Sequence, residues 1–280
     1  MRYIDAHAHI YPDDIAARAS QATAEFYDIP MNCDGRLSSL LARGELAGIE
    51  KHMVLGVAIS PERVENINNF LIRAVAENPD RLIGLGAIHP EMPDVQQELR
   101  RIRAAGLIGV KLHADMQQTA LDGGPAIVLF KALAEENMPA ILHMGDPRYS
   151  YSSPRQLQKA LVAVPELKVI AAHFGGWQEW DESWRCLADL DNVWVDTSSS
   201  LYAFTPEEAA KLLRRFRPDR VVFATDFPMW DPVIERRRFD ALPLTATEKE
   251  KIGRRNIEAF LRQFSSPVPA AYTNQDRIDS

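Results

Sequence analysis

Five of the seven histidines, with one late aspartate, stand where they could hold a cation. His7 and His9 form a His-Ala-His triplet at the end of the first apolar run. In an extended chain, residues two apart face the same side. His113, His143 and His173 each close a later run, at successive intervals of thirty residues. That interval is about one strand-plus-helix unit. Asp226 closes the last run, in Phe223-Ala224-Thr225-Asp226. Three or four imidazoles and a carboxylate gathered at one point make a donor set for a divalent ion. Zinc suits it first, with manganese, iron or cobalt as alternatives. Such an ion lowers the pKa of a bound water to roughly 7, and a neighbouring histidine can serve as base. An isolated His-x-His is ordinarily accidental; the recurrence at matching positions along the chain is the informative feature.

Side chains so far apart in sequence converge only if the fold brings equivalent strand ends together. Eight short apolar runs read as strands: Arg2–Ala6, Lys51–Ala58, Leu82–Ala87, Gly109–Leu112, Pro139–Leu142, Lys168–Ala172, Val193–Val195 and Arg220–Ala224. They lack clean alternation, as strands do when both faces are covered. Amphipathic stretches fill the gaps, among them Pro206–Phe216 after the N-cap candidate Thr205, and Glu248–Gln263 after the N-cap candidate Thr247. The alternation predicts an α/β fold, a single-domain (β/α)8 barrel of the TIM type over residues 1–264. An open doubly wound sheet is the alternative. In a barrel, these side chains meet at the C-terminal mouth. Residues 10–35 form an unusually long first connection, and residues 265–280 read as a polar C-terminal tail.

Composition narrows the function classes. The chain has 280 residues, 46% of them hydrophobic, and a net charge of −7, which argues against a nucleic-acid partner. There is no run of the ~20 apolar residues that a spanning helix needs, and no signal-peptide pattern, so no membrane partner and a cytoplasmic location are expected. Cys33 and Cys186 are too few and too far apart for a disulfide framework. No dinucleotide or Walker-type glycine loop is present.

His7-Ala8-His9, Ile141-Leu142-His143, Ala171-Ala172-His173-Phe174-Gly175-Gly176 and Ala224-Thr225-Asp226-Phe227-Pro228, in that order, resemble the amidohydrolase superfamily. The nearest branch is the one called amidohydrolase family 2, which also holds aminocarboxymuconate-semialdehyde decarboxylase-like proteins and hydratases. The resemblance covers roughly residues 1 to 264. It implies that His7, His9, His143 and Asp226 bind one metal and that His173 activates a metal-bound water. Asp226 would also carry the proton to the leaving group. Gly109-Val110-Lys111-Leu112-His113 resembles a strand-four motif of the same branch. Some relatives bridge two metals through a carboxylated lysine there. For this chain one metal is the favoured reading, with Lys111 and His113 facing substrate.

Around this set stand weaker candidates. Asp5 and Asp196 could orient ligands, or equally cap loops. His52 opens its strand at the far end and reads as structural, and His89 has an equally plain reading. Arg148, among Tyr149, Tyr151 and several tryptophans, suggests a cationic clamp for a carboxylated or aromatic substrate, against a bland reading of loop packing. The leading functional expectation is a metal-dependent hydrolase of an amide, ester or lactone bond in a small molecule. A non-oxidative decarboxylase or hydratase with the same ligands is the second reading, and a non-catalytic barrel with a relic site the third. A homo-oligomer is expected.

Overall fold

In the computed structural model, which describes residues 2–264, eight parallel strands pair in sequence order. They are β1 (Tyr3–His9), β2 (Ile49–Leu55), β3 (Leu82–Ala87), β4 (Val110–Leu112), β5 (Ala140–Leu142), β6 (Val169–Ala171), β7 (Val193–Asp196) and β8 (Val221–Val222). The seam between β8 and β1 is closed by the backbone: Ala6 N–H donates to Phe223 O (3.0 Å), Asp226 N–H to His7 O (2.8 Å) and His9 N–H to Phe227 O (2.6 Å). This is the expected TIM barrel. The tail expected at 265–280 lies outside the described residues. Among the described residues no helix is long and apolar enough to cross a membrane.

Each strand buries both faces, which is why the sequence shows continuous apolar runs. Met53, Leu55, Leu85, Ile141, Ile170 and Val222 fill the lumen with Ile4 and Ala6. Their neighbours Val54, Leu142, Val169 and Val221 pack outward under the helices. A fully buried aliphatic side chain of this kind stabilises the fold by about 1.5–3 kcal/mol. Val110 and Leu112 belong to the outer layer, so Lys111 between them faces the lumen.

β1 runs further than expected, to His9, and carries an irregularity. Asp5 pairs with His52 but Ala8 pairs with Val54, three steps on one strand against two on the other. That extra residue is a β-bulge, and it changes which parity of residue faces inward. Ile4 and Ala6 line the lumen below it, and His7 and His9 face the centre above it.

Helix boundaries follow capping chemistry. Thr205 caps the helix Pro206–Leu213 in a capping box with Glu208. The late helix starts at Ala246, capped by Thr245 where Thr247 was expected. Thr245 wins because Glu248 stands at the third helical position, where its carboxylate accepts from Thr245 N–H (2.7 Å). The long first connection contains α1 (Ala16–Tyr27), which lacks a side-chain N-cap. Cys33 and Cys186 are free.

Candidate metal centre

The bulge and the closed seam bring the end of β1 and the turn after β8 to one point. His7 Nε2 lies 3.1 Å from His9 Nε2 and 3.4 Å from Asp226 Oδ1, and His9 Nε2 lies 3.7 Å from Asp226 Oδ1. On the other side of the mouth, His143 Nδ1 is 3.1 Å from His173 Nε2. The His7 and His173 rings stack at 5.3 Å and so join the two pairs. Lys111 Nζ reaches in to 3.2 Å from His7 Nε2.

The second nitrogen of each ring decides what the first can do. His7 Nδ1 sits 3.0 Å from Asp196 Oδ2, so its hydrogen belongs there and Nε2 is left as an acceptor, facing Lys111 Nζ at 3.2 Å. His9 is hydrogen-bonded to the backbone at Leu55, which leaves its Nε2 as an acceptor as well. Two imidazole lone pairs face each other at 3.1 Å with a carboxylate beside them, and of the side chains around them only Lys111, 3.2 Å from His7 Nε2, brings positive charge, so the donor set suits a cation. The residues therefore fit a divalent ion on chemical grounds. At His143 the nitrogen that faces the centre is Nδ1, 3.1 Å from His173 Nε2, while Nε2 has no hydrogen-bond partner and stands 3.7 Å from Asp115 Oδ2. His173 is turned by the Ser198 hydroxyl, 2.9 Å from its Nδ1.

Electrostatics agree with neutral imidazoles. Burial holds His7, His9, His143 and His173 well below the ordinary histidine range; the neighbouring imidazoles and Lys111 add to it, while Asp196 opposes it at His173. Burial pushes Lys111 down to about 8, opposed by Asp226 and Asp196. Burial also pushes Asp226 up to about 6, opposed by its Ser199 hydrogen bond and by Lys111. Two of these residues occupy left-handed backbone, His173 at φ 63° and Asp226 at φ 59°. Non-glycine residues there cost about 1–3 kcal/mol each and persist where the surroundings enforce them. The enforcement at His173 is visible: its N–H donates to Asp196 Oδ1 (2.9 Å).

Asp5 works beneath the site. Its Oδ1 accepts from His7 N–H (3.2 Å) and Thr225 N–H (2.9 Å), and its Oδ2 from the Thr225 hydroxyl (2.8 Å). His52 Nδ1 completes the set at 3.0 Å from Oδ2. This wholly buried carboxylate thus ties β1, β2 and the Thr225-Asp226 turn together. Asp5 and His52 belong to one network, which sequence spacing could not show.

His7, His9, Lys111, His113, His143, His173 and Asp226 all border one cavity of about 60 Å³. Arg148 does not. Its Nε and Nη2 bind both oxygens of Asp146 (2.9 and 2.7 Å), and its Nη1 donates to Phe26 O (2.9 Å). With its fork committed, it braces α1 against the loop after β5 instead of presenting a free clamp. His89 also lies outside the cavity lining, accepting from Glu91 N–H. Thr23, Tyr27 and Met31 from the long connection complete the wall and carry no motif in the sequence. Asp115 and Ser198 were equally unmarked, although each follows a strand-end histidine or aspartate by two residues.

The family model described as amidohydrolase matches residues 4–263. The gamma-resorcylate decarboxylase of Rhodococcus jostii (strain RHA1) is 25% identical over 249 residues, covering 70% of this chain and 75% of that protein. An uncharacterized TIM-barrel protein from Bordetella bronchiseptica superposes with TM-score 0.75 at 18% identity, covering 95% of this chain and all of that one. A dihydroxybenzoic acid decarboxylase from Polaromonas sp. JS666, crystallised with manganese and the inhibitor 2-nitroresorcinol, gives TM-score 0.73 at 16% identity, covering 93% and 97%. These relatives overturn the expectation of amide, ester or lactone hydrolysis: the named activities are decarboxylations. The physical reason is that one donor set serves both reactions, so strand-end motifs specify the ion and not the bond that breaks.

Proposed function

This chain belongs to the amidohydrolase family, and on that footing we propose that it is a metal-dependent, non-oxidative decarboxylase of a small hydroxylated aromatic carboxylate. The observation that carries the reading is the convergence of His7 Nε2, His9 Nε2 and Asp226 Oδ1 in the cavity at the barrel mouth, in a chain similar to a protein named as a gamma-resorcylate decarboxylase. His7, His9, His143 and Asp226 would hold the ion. Manganese is the proposed metal, in line with the Polaromonas relative, and it replaces zinc as the first choice. A bound divalent ion supplies a Lewis acid that fixes the substrate's oxygens and draws off negative charge.

The chain's own residues supply the rest. When the ring–carboxylate bond breaks, the electron pair stays on the ring carbon, carbon dioxide leaves, and a proton must reach that carbon. His173 Nε2 and the Asp226 carboxyl are the groups at the centre that could take up a proton and pass it on, held in place by Ser198 and Ser199. Lys111, buried beside His7 Nε2, adds positive charge where the carboxylate arrives. Burial of the mouth keeps water from competing for the carbon. The compound 2-nitroresorcinol is expected to bind as a planar analogue.

The test is direct. Manganese-loaded protein is incubated with 2,6-dihydroxybenzoate in 18O-labelled water, and gas release and product mass are followed. One carbon dioxide per resorcinol, with no label in the resorcinol, is expected. Absence of gas across a panel of hydroxybenzoates, or solvent oxygen in the product, would sink the reading.

A further inference from the structure

Tyr27 lies in the long first connection, on the last turn of α1, yet its side chain reaches the centre of the mouth. Its hydroxyl is hydrogen-bonded to His113 Nε2 and stands 3.4 Å from His143 Nδ1. The direction of the first bond follows from the other side of the His113 ring. Met116 N–H donates to His113 Nδ1 (3.3 Å), so that nitrogen carries the lone pair. A neutral imidazole then has its hydrogen on Nε2. His113 therefore donates to the Tyr27 oxygen, and the phenol's own hydrogen must point elsewhere. Among the described residues the other acceptor within reach is His143 Nδ1, the nitrogen that turns toward the metal centre.

We propose that the Tyr27 hydroxyl is a substrate-contacting donor that recognises an oxygen substituent next to the reacting carboxylate. The inference rests on the decarboxylase reading and deepens it: it selects ring carboxylates bearing a hydroxyl or phenolate ortho to the carboxylate. The rest of the geometry supports it. His113 is held flat against His143, with centroids 4.0 Å apart and planes at 8°, so the donor that fixes Tyr27 cannot swing away. Tyr27 packs edge-on against Phe26 (4.9 Å) and Trp177 (5.3 Å), which fixes its ring. Tyr27 lines the same cavity of about 60 Å³ as His7, His9, Lys111 and Asp226.

Two measurements test it. Calorimetric titration of manganese-loaded wild type and Tyr27→Phe compares 2-nitroresorcinol with nitrobenzene. The variant keeps the ring and its packing. Removing a hydrogen bond to a charged or strongly polar oxygen weakens binding by about tenfold or more. We expect that loss for 2-nitroresorcinol and an unchanged affinity for nitrobenzene. Equal affinities of wild type and variant for 2-nitroresorcinol would overturn the inference while leaving decarboxylation intact. If wild type decarboxylates no hydroxybenzoate and binds neither probe, both readings fall. The second measurement is the nitrogen-15 signature of His113 in the wild type. Hydrogen on Nε2 is expected; hydrogen on Nδ1 would mean that Tyr27 donates to His113, and the inference fails.

Discussion

The mouth of this barrel has two walls, and they are held in different ways. The strand-end wall carries His7, His173 and Asp226, each tied to Asp196, Ser198 or Ser199. Those partners are themselves buried at the end of β7 or just beyond it. The opposite wall is α1 with its flanking loop. That helix has no side-chain N-cap and buries only Ala16 and Ser20 fully; its C-terminal end is held by side chains from other segments, Arg148 at Phe26 O and His113 and Trp177 at Tyr27. The first wall needs geometry accurate enough to gather lone pairs round an ion, and a strand end reinforced from its neighbour provides it. The second wall decides what fits. The cavity between them is about 60 Å³, bordered by Thr23, Tyr27 and Met31 on this side.

The contrast is most severely tested on the strand-end wall. His7→Ala removes an acceptor nitrogen and leaves Asp226 without its neighbour. Carbon dioxide release should fall about 10³-fold or more, since metal charge stabilisation is worth several kcal/mol, and elemental analysis should show lost metal. Asp196→Asn keeps the shape but cannot hold the His7 and His173 contacts together. Outer partners of this kind are worth about 10–100-fold in metal affinity, measurable by competition with a chelator. If Asp196→Asn binds metal as wild type does, the two walls do not differ as described.

The other wall should respond differently. Arg148→Met removes the brace between Asp146 and Phe26 while leaving every proposed ligand in place. Metal content should stay unchanged, KM should change by about three- to tenfold, and amide exchange should rise within 16–27. A loss of metal would erase the distinction between the walls.

A smaller effect concerns the support behind the strand ends. Glu235 is paired with Arg238, whose guanidinium lies 4.9 Å over the Trp230 ring, and Trp230 donates to Ser199 Oγ (2.9 Å). Burial pushes the Glu235 carboxyl up to about 7, opposed by Arg238. The folded protein thus holds this proton more tightly than the unfolded chain does. Its contribution is fully present below pH ~4.5 and is lost as pH rises toward about 7. Glu235→Gln should flatten that segment of the stability–pH curve, recovering roughly 1–3 kcal/mol at neutral pH. Denaturant melts at pH 5 and pH 8 measure it, and an unchanged slope would refute the assignment.

Much of the site was legible because it repeats. His143 and His173 close successive strands at one spacing, and the apolar runs before them read as buried strands since both faces are covered. The less legible parts have no period. Arg148 looked like a clamp by residue type, but only the structure shows Asp146 occupying its fork. Tyr27 sits in a connection where neither spacing nor composition marks it. Asp5 and His52 are 47 positions apart, and a carboxylate accepting four hydrogen bonds leaves no pattern in a one-dimensional string.

Sequence by itself determined the barrel and the types of donor at its mouth, because strand period and strand-end chemistry are local and recur in every unit. Tertiary structure alone decided how the imidazoles are turned, which nitrogens are left as acceptors, and which wall presents a hydroxyl. Those depend largely on neighbours far away in the chain, among them Asp196 for His7 and His173 and Ser198 for His173, with Met116 N–H, three residues on, settling His113. The hydrogen on an imidazole goes to the neighbour that accepts it, and that neighbour exists only once the chain has closed.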